Sequence, residues 1–526
     1  MADFDAIVIG AGHNGLTCAC YLARAGWRVA VLEGADQVGG GLRSDATTLP
    51  GFIHDNYATN LGLFAASPAY RELKSDLDAL GVRFLSCEKP YVNLHRGKAI
   101  KVVTDVDRTV AGFSSVSADD AREWMNLVEL YKRISPFVQP FFYTEMPSLL
   151  AFRRAVEMLI GSHPIDALRF MKLLGQSTLG FSEQFFKSSE IASVFQAWGY
   201  HLDFPPDKPG GALFAFISAM SAQVYGMQVA EGGAGKVSDG LRIVIERAGG
   251  VVLTRAEVSQ IIVRRSRAVG VRTHNGNELT AKRAIIANVT TRNLFGKLIE
   301  PSEVPHKFLR RARRFRYGPG TFVVHLALNR VPNWRLGSDL NQFGYIHLNV
   351  GQADIQGTYL SSLDRKLPAR PLLIVSQTTN IDPSRAPAGK HVMRVHVRTV
   401  PGQFSGDAAG KIEARDWTAA KEPFAERLLD LVEEAAPDLR ECIIAKAAQT
   451  PQEIERDNPN FVGGDCVSGS HHLAQNFLFR PFLGWSNYKT PITGLYMIGA
   501  STWPGGGVNG GSGYMLARKL KAPRMV

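Results

Sequence analysis

Residues 5–44 read DAIVIGAGHNGLTCACYLARAGWRVAVLEGADQVGGGLRS, and this stretch decides the fold. The apolar run 6–9 ends on Gly10 and predicts a buried parallel strand. Gly10, Gly12 and Gly15 then form G-x-G-x-x-G, with a helix expected from about residue 14. Leu16, Ala19, Cys20 and Ala23 fall on one face of it, and Gly26 stands where a C-terminal cap belongs. A second strand over 28–32 ends on Glu33. The first glycine permits a tight turn, the second lets the backbone approach a pyrophosphate, and the third lets helix and strand pack closely. The helix N-terminus faces the phosphates, and Glu33 accepts bonds from an adenosine ribose. Gly505, Gly507 and Gly510 repeat the spacing but follow Trp503-Pro504 rather than a strand, so they are not read as a second such site.

The dinucleotide is expected to be FAD. An NADP site would favour an arginine directly after the second strand, where Gly34 and Ala35 stand. Gly39, Gly40, Gly41 and Arg43 suit the further phosphate and ribose contacts of a large flavoprotein. Near the other end, a short strand over 494–499, ending on Gly499, leads into Gly505-Gly506-Gly507-Val508-Asn509-Gly510 and a helix over 514–520. A glycine-lined turn into a helix N-terminus offers N–H donors that would favour negative charge on a reduced flavin.

These motifs resemble the phytoene-dehydrogenase-like FAD oxidoreductases, and most of all the branch of pyridine nucleotide-disulphide oxidoreductase domain proteins. The resemblance is carried by Asn458-Pro459-Asn460, Gly463-Gly464-Asp465, Arg480-Pro481, Thr490-Pro491, Gly494-Leu495-Tyr496 and Pro504 to Val508. It implies an α/β fold: a Rossmann-like FAD-binding domain of the glutathione reductase and amine oxidase type, carrying an inserted α+β substrate domain. The FAD domain is expected at 1–75, 226–295 and 456–526, and the substrate domain at 76–225, mainly helical, and 296–455. The resemblance also implies a backbone contact of Val258 with adenine. It places Gly10, Gly12, Gly15, Glu33, Gly40, Gly41, Arg43, Gly499, Gly506, Gly507 and Val508 on the cofactor. Trp503 and Asn509 depart from the branch, which usually has histidine and threonine there, and both are expected beside the flavin.

The expected activity is hydride transfer from an apolar or partly apolar substrate to flavin N5. Dioxygen, a quinone or another non-nicotinamide acceptor would take the electrons, since one fingerprint leaves no nicotinamide domain. The alternatives are a flavin-dependent isomerase, an amine or alcohol oxidase, or a non-catalytic FAD scaffold that binds a partner or membrane. Candidate catalytic residues are Trp503, which could stack on substrate, Asn509, and His201, a proton acceptor beside Tyr200 and Asp203. His471-His472 is a further candidate pair. No metal site is expected.

The chain has 526 residues, enough for two domains, with 45% hydrophobic and 21% charged residues. Five cysteines without C-x-x-C spacing argue against disulphide-reductase chemistry and for a reducing, cytoplasmic setting. The first strand begins so early that no leader is expected before it. A net charge of +12 brings no nucleic-acid recognition module. Part of it lies in the basic stretch 303–317, where Val304, Phe308, Leu309, Ala312 and Phe315 share a helical face. That face is read as packing on its own domain, with an anionic membrane surface as the alternative. Residues 209–230 carry no charge for 22 positions but include Ser218, Ser221 and Gln223, which suits a buried helix better than a membrane span. A homo-oligomer is allowed by the sequence.

Overall fold

A computed structural model describes residues 2–161 and 163–520. Strand β1 (Phe4–Ile9), helix α1 (His13–Arg24) and strand β2 (Val29–Leu32) follow in the expected order. Gly26 takes φ +81°, and the N–H of Trp27 returns to the Leu22 carbonyl, so the helix ends on a left-handed glycine. Residues 14–23 are buried on every side, because α1 lies between the sheet, the helix Gly235–Arg247 and the C-terminal helix.

The first sheet runs in the order 258–264, 267–273, 278–287, β1, β2, 251–253, and strand Leu495–Met497 pairs with 278–287. The pairs β1–β2, β1 with 278–287, β2 with 251–253, and 278–287 with 495–497 are all parallel. Ile9 lies level with Leu32 and Ala287, and Ala287 with Met497. Four strands therefore end at one height, and a cleft opens where α/β sheets bind ligands.

The second sheet holds β3 (Tyr91–His95), β4 (Gly320–Leu328), β5 (Tyr345–Leu348), β6 (Leu373–Ser376), β7 (His391–Val400) and β8 (Ile443–Gln449), in the order β8-β4-β7-β6-β5-β3, with strand Lys98–Val102 at the β3 edge. The region 76–225 is less purely helical than the sequence suggests, since β3 and Lys98–Val102 join this sheet and strand Phe84–Cys87 pairs with Met227–Ala230. Between these strand segments run α2 (Ala118–Phe142), α3 (Leu149–Gly161), α4 (Pro164–Gly175), α5 (Ser189–Tyr200) and α6 (Gly211–Tyr225). The uncharged stretch is thus a buried helix followed by a strand. Among the described residues, no helix is long and apolar enough to cross a membrane. One face of the second sheet packs on α7 (Trp417–Glu433), where Phe322 stacks on Trp417 at 5.4 Å and meets Phe424 edge-on at 5.0 Å.

The basic stretch forms only a seven-residue helix, His306–Ala312. Phe308, Leu309, Ala312 and Phe315 are buried, the first three in a core shared with Ile7 and Ile285. Its apolar face is covered by the protein itself, as the sequence favours.

Buried charge ties the segments together. Arg385, fully buried, reaches Asp55 at 2.6 Å, Asp382 at 2.9 Å and the Ala230 carbonyl at 2.7 Å. Asp55 in turn accepts the Ala234 N–H, and Asp382 that of Gly232.

Candidate functional site

Two cavities are lined by successive parts of the C-terminal segment, one by Gly499 and Ala500 and the other by Pro504, Gly506, Gly507 and Asn509. The first, about 410 Å³, lies at the ends of β1 and β2. Gly10, Gly12, Glu33, Gly40, Gly41, Arg43, Val258 and Gly499 line it, together with Asn288 and Asn458 to Phe461. Gly10 has φ +92°, as the tight turn needs. A Cβ on Gly15 would fall 2.3 Å from the Gly10 carbonyl oxygen, so only glycine lets α1 start so close to β1. The first turn of α1 has neither a side-chain cap nor an acidic residue, which leaves its N–H groups for an anion. Glu33 is held by the N–H groups of Ala11 (2.7 Å) and Ala35 (3.0 Å), and burial raises its pKa. Arg43 pairs with Asp457 at 2.9 Å. The cleft therefore has glycine backbone and a helix N-terminus for a pyrophosphate, and an acid beside them for a ribose.

Asn288 escapes a reading of the sequence. Its Nδ2 donates to the Gly10 carbonyl at 3.1 Å, and its Oδ1 would lie 2.8 Å from a Cβ on Gly499. It spans the first and last glycine turns, and its only signal is a polar residue ending an apolar strand.

The second cavity, about 160 Å³, is mainly apolar. Tyr131, Ile134, Val138 and Phe142 present one stripe of α2 to it, and Phe214, Ile217, Ser218 and Ser221 one stripe of α6. Pro504, Gly506, Gly507, Asn509 and His471 close its end. Burial holds the nearby His13, which lines the first cleft, down at about 4 and uncharged. Val508 is packed in the core.

Of the three candidate catalytic residues, Asn509 lines the apolar cavity and Trp503 and His201 do not. Trp503 does not line the cavity. It is fully buried, stacked on Phe142 at 5.4 Å, with its Nε1 on the Thr144 carbonyl at 3.0 Å, and so anchors the turn against α2. Asn509 lines the cavity, but its amide is spent locally: Oδ1 accepts the Gly511 N–H at 2.7 Å and Nδ2 donates to the Gly507 carbonyl. It starts the final helix, α8 (Gly511–Lys519), whose own N-cap glycine has no side chain. His201 lies outside the cavity wall, stacked on Trp198 at 4.6 Å with Nε2 3.2 Å from His347 Nε2. Burial, then the charges of His347 and Arg398, keep it far below its usual range and hence uncharged. The turn also keeps fewer free donors than expected, since Gly506 N–H donates to His471 Nε2 at 2.9 Å.

Asp203 accepts the His471 N–H at 3.2 Å and lies 3.6 Å from His472. Burial pushes it up to about 6, against the pull of His472 and with the push of Asp465. A carboxyl raised in the folded state stabilises the fold fully below its unfolded pKa and loses that contribution as pH rises through about 6. Asp203→Asn, which tolerates the φ of +63° there, is expected to flatten the fall in urea midpoint between about pH 4 and 7. Parallel profiles for the two proteins would refute this.

The fold and the cleft are those of an α/β protein built to bind a dinucleotide. The profile of the flavin-containing amine oxidoreductase family matches residues 15–512, and the chain belongs to that family. It is 26% identical to "Pyridine nucleotide-disulfide oxidoreductase domain-containing protein 2" of Rattus norvegicus, covering 99% of this chain and 94% of that protein. A limonene dehydrogenase component of Castellaniella defragrans is also 26% identical, over 98% of this chain and 94% of that one. Among solved structures, an oxidoreductase from Methanosarcina mazei superposes with a TM-score of 0.63 at 18% identity, covering 98% of this chain and 99% of that one. The protein is thus an FAD-dependent oxidoreductase, of the kind that the C-terminal motifs resemble.

Proposed function

We propose that the protein dehydrogenates an apolar or partly apolar organic substrate and passes the electrons to a non-nicotinamide acceptor such as dioxygen or a quinone. The observation that carries this reading is the apolar cavity between α2 and α6, closed by the same glycine turn whose start, Gly499, lines the dinucleotide cleft. The named activity of the limonene dehydrogenase relative lends support, limonene being a hydrocarbon.

In this reading the FAD domain comprises 1–75, 226–295 and 456–526, and the substrate domain 76–225 and 296–455. Gly10, Gly12, Gly15 and the start of α1 hold the pyrophosphate, Glu33 the ribose and Val258 the adenine. Gly40, Gly41, Arg43 and Gly499 complete the cleft, and Gly506, Gly507 and Val508 shape the flavin end. Bound FAD supplies a two-electron acceptor for hydride. The chain's own part is to orient the substrate between α2 and α6 and to exclude water from it. Anaerobic bleaching of the bound flavin by a substrate, with a product two hydrogens poorer, tests the reading; an isomeric product with the flavin still oxidised would favour the isomerase.

Peripheral contact with an anionic membrane belongs to the same proposal, but on α3 and α4. Leu149 (89%), Phe152 (71%), Ile160 (79%) and Leu168 (70%) stand exposed there, an apolar patch interleaved with Arg153, Arg154, Arg169 and Lys172. A groove of about 920 Å³ includes Leu150 and Arg154 of α3 and shares Ala66, Gln139 and Tyr143 with the apolar cavity, giving a lipophilic molecule a way in. The triple variant Phe152→Ser, Ile160→Ser, Leu168→Ser is expected to lose sedimentation with phosphatidylserine vesicles by about tenfold or more while keeping its FAD. Unchanged sedimentation would rule this surface out.

A further inference from the structure

Alternate residues of the second sheet form rows on the face away from α7. One row runs His325, Arg394, Ser376 and Tyr345, and the next His396, Ile374 and His347. This face is buried: His325 is 0%, His396 5% and Arg394 7% exposed. Yet Arg394 Nε and His396 Nδ1 have no hydrogen-bond partner among the described residues.

The charge is unbalanced as well. Among the described residues Arg394 has no ion pair. Asp55 acts on it, but the Asp55 oxygens are already engaged by Arg385 (2.6 Å), the Ser44 hydroxyl (2.7 Å) and the Ala234 N–H (2.8 Å). Arg398, further along the same strand, donates to the Thr321 hydroxyl at 3.3 Å and also lacks an ion pair among the described residues. The imidazoles do not supply the charge, since burial keeps His325 and His396 neutral. A buried guanidinium without a counter-charge is strongly unfavourable, so a fold that keeps one is built to receive an anion. The planar fork of arginine suits a carboxylate.

The His347 end of this face lies near the apolar cavity, since His347 Nε2 is 3.2 Å from His201 Nε2. Leu202, next to His201, lines that cavity, as does His471, on which the charge of Arg398 acts. His471 Nε2 accepts the Gly506 N–H, so its neutral ring carries the proton on Nδ1, which is buried and without a partner among the described residues.

Resting on the flavoenzyme reading above, we infer that the substrate is an apolar molecule bearing an oxyanion, in the simplest case a carboxylate, held by Arg394 and Arg398 with its apolar body between α2 and α6.

The test titrates the full-length, FAD-loaded protein with decanoate, decanol and decylamine. Binding is followed by tryptophan fluorescence, since Trp198 stacks on His201 at this face, and by the flavin spectrum. Decanoate is expected to bind about tenfold or more tightly than decanol, and Arg394→Met or Arg398→Met to erase that preference while decanol affinity stays within about twofold. Flavin content is expected to be unchanged in both variants. Equal affinity for acid and alcohol, or a preference for the amine, overturns the inference without any variant. A variant that loses FAD but keeps the acid preference assigns the arginine to the cofactor and also overturns it. Acid preference in a protein whose flavin no substrate ever reduces upholds this site and counts against the proposed reaction.

Discussion

Gly15→Ala is expected to yield protein without bound FAD. The added methyl would sit 2.3 Å from the Gly10 carbonyl oxygen, in the turn that the pyrophosphate must approach, and 2.8 Å from Asn288 Nδ2, which donates to that carbonyl. Relief requires α1 to move away from β1, which withdraws the N–H groups of its first turn from the cleft. Occupancy, read as the ratio of flavin to protein absorbance, should fall by about tenfold or more. Gly112→Ala is the control, because a Cβ there meets nothing within 4 Å and the residue lies in a helix. Normal flavin content in the Gly15 variant would mean that the dinucleotide lies elsewhere.

Arg385→Ala should be the most destabilising single change at a charged residue. It would leave Asp55 and Asp382, each about 2% exposed, without their shared counter-charge. Breaking a buried pair costs about 3–5 kcal/mol, since the remaining charge stays desolvated. The same change unlinks the segments around residues 55, 230 and 382. Urea denaturation should show the loss directly, and Arg385→Ala combined with Asp55→Asn should cost less than the sum of the two alone. Strict additivity would show that the pair is not coupled.

The part of the fold most legible in the sequence is the part governed by local chemistry. Glycines at fixed spacing, an apolar run on each side and a terminal acid have few other uses, so β1, α1 and β2 stand where expected. The C-terminal strand and helix are legible for the same reason. Strand β3 is not, since a five-residue run gains its partner from β5, some 250 residues away in sequence, and Lys98–Val102 joins the sheet only through its pairing with β3. The cluster on β7 fails differently. His391-Val392-Met393-Arg394-Val395-His396-Val397-Arg398 alternates as a strand with one wet face would, and alternation alone does not say that the polar face is covered. Burial turns an ordinary solvent face into an unpaired cationic site. Trp503 and Asn509 are drawn to the flavin by their place in a motif; packing and helix capping explain them as well as chemistry does.

The central claim is that electrons leave an apolar substrate for the flavin and do not come from a nicotinamide. The most direct measurement is the anaerobic visible spectrum of the FAD-loaded protein, mixed in turn with NADH, NADPH and a panel of apolar carboxylates, alcohols and alkenes. Bleaching by a member of the apolar panel is the predicted result, with none by either nicotinamide. Rapid bleaching by NADH or NADPH, with the apolar panel inert, would contradict it.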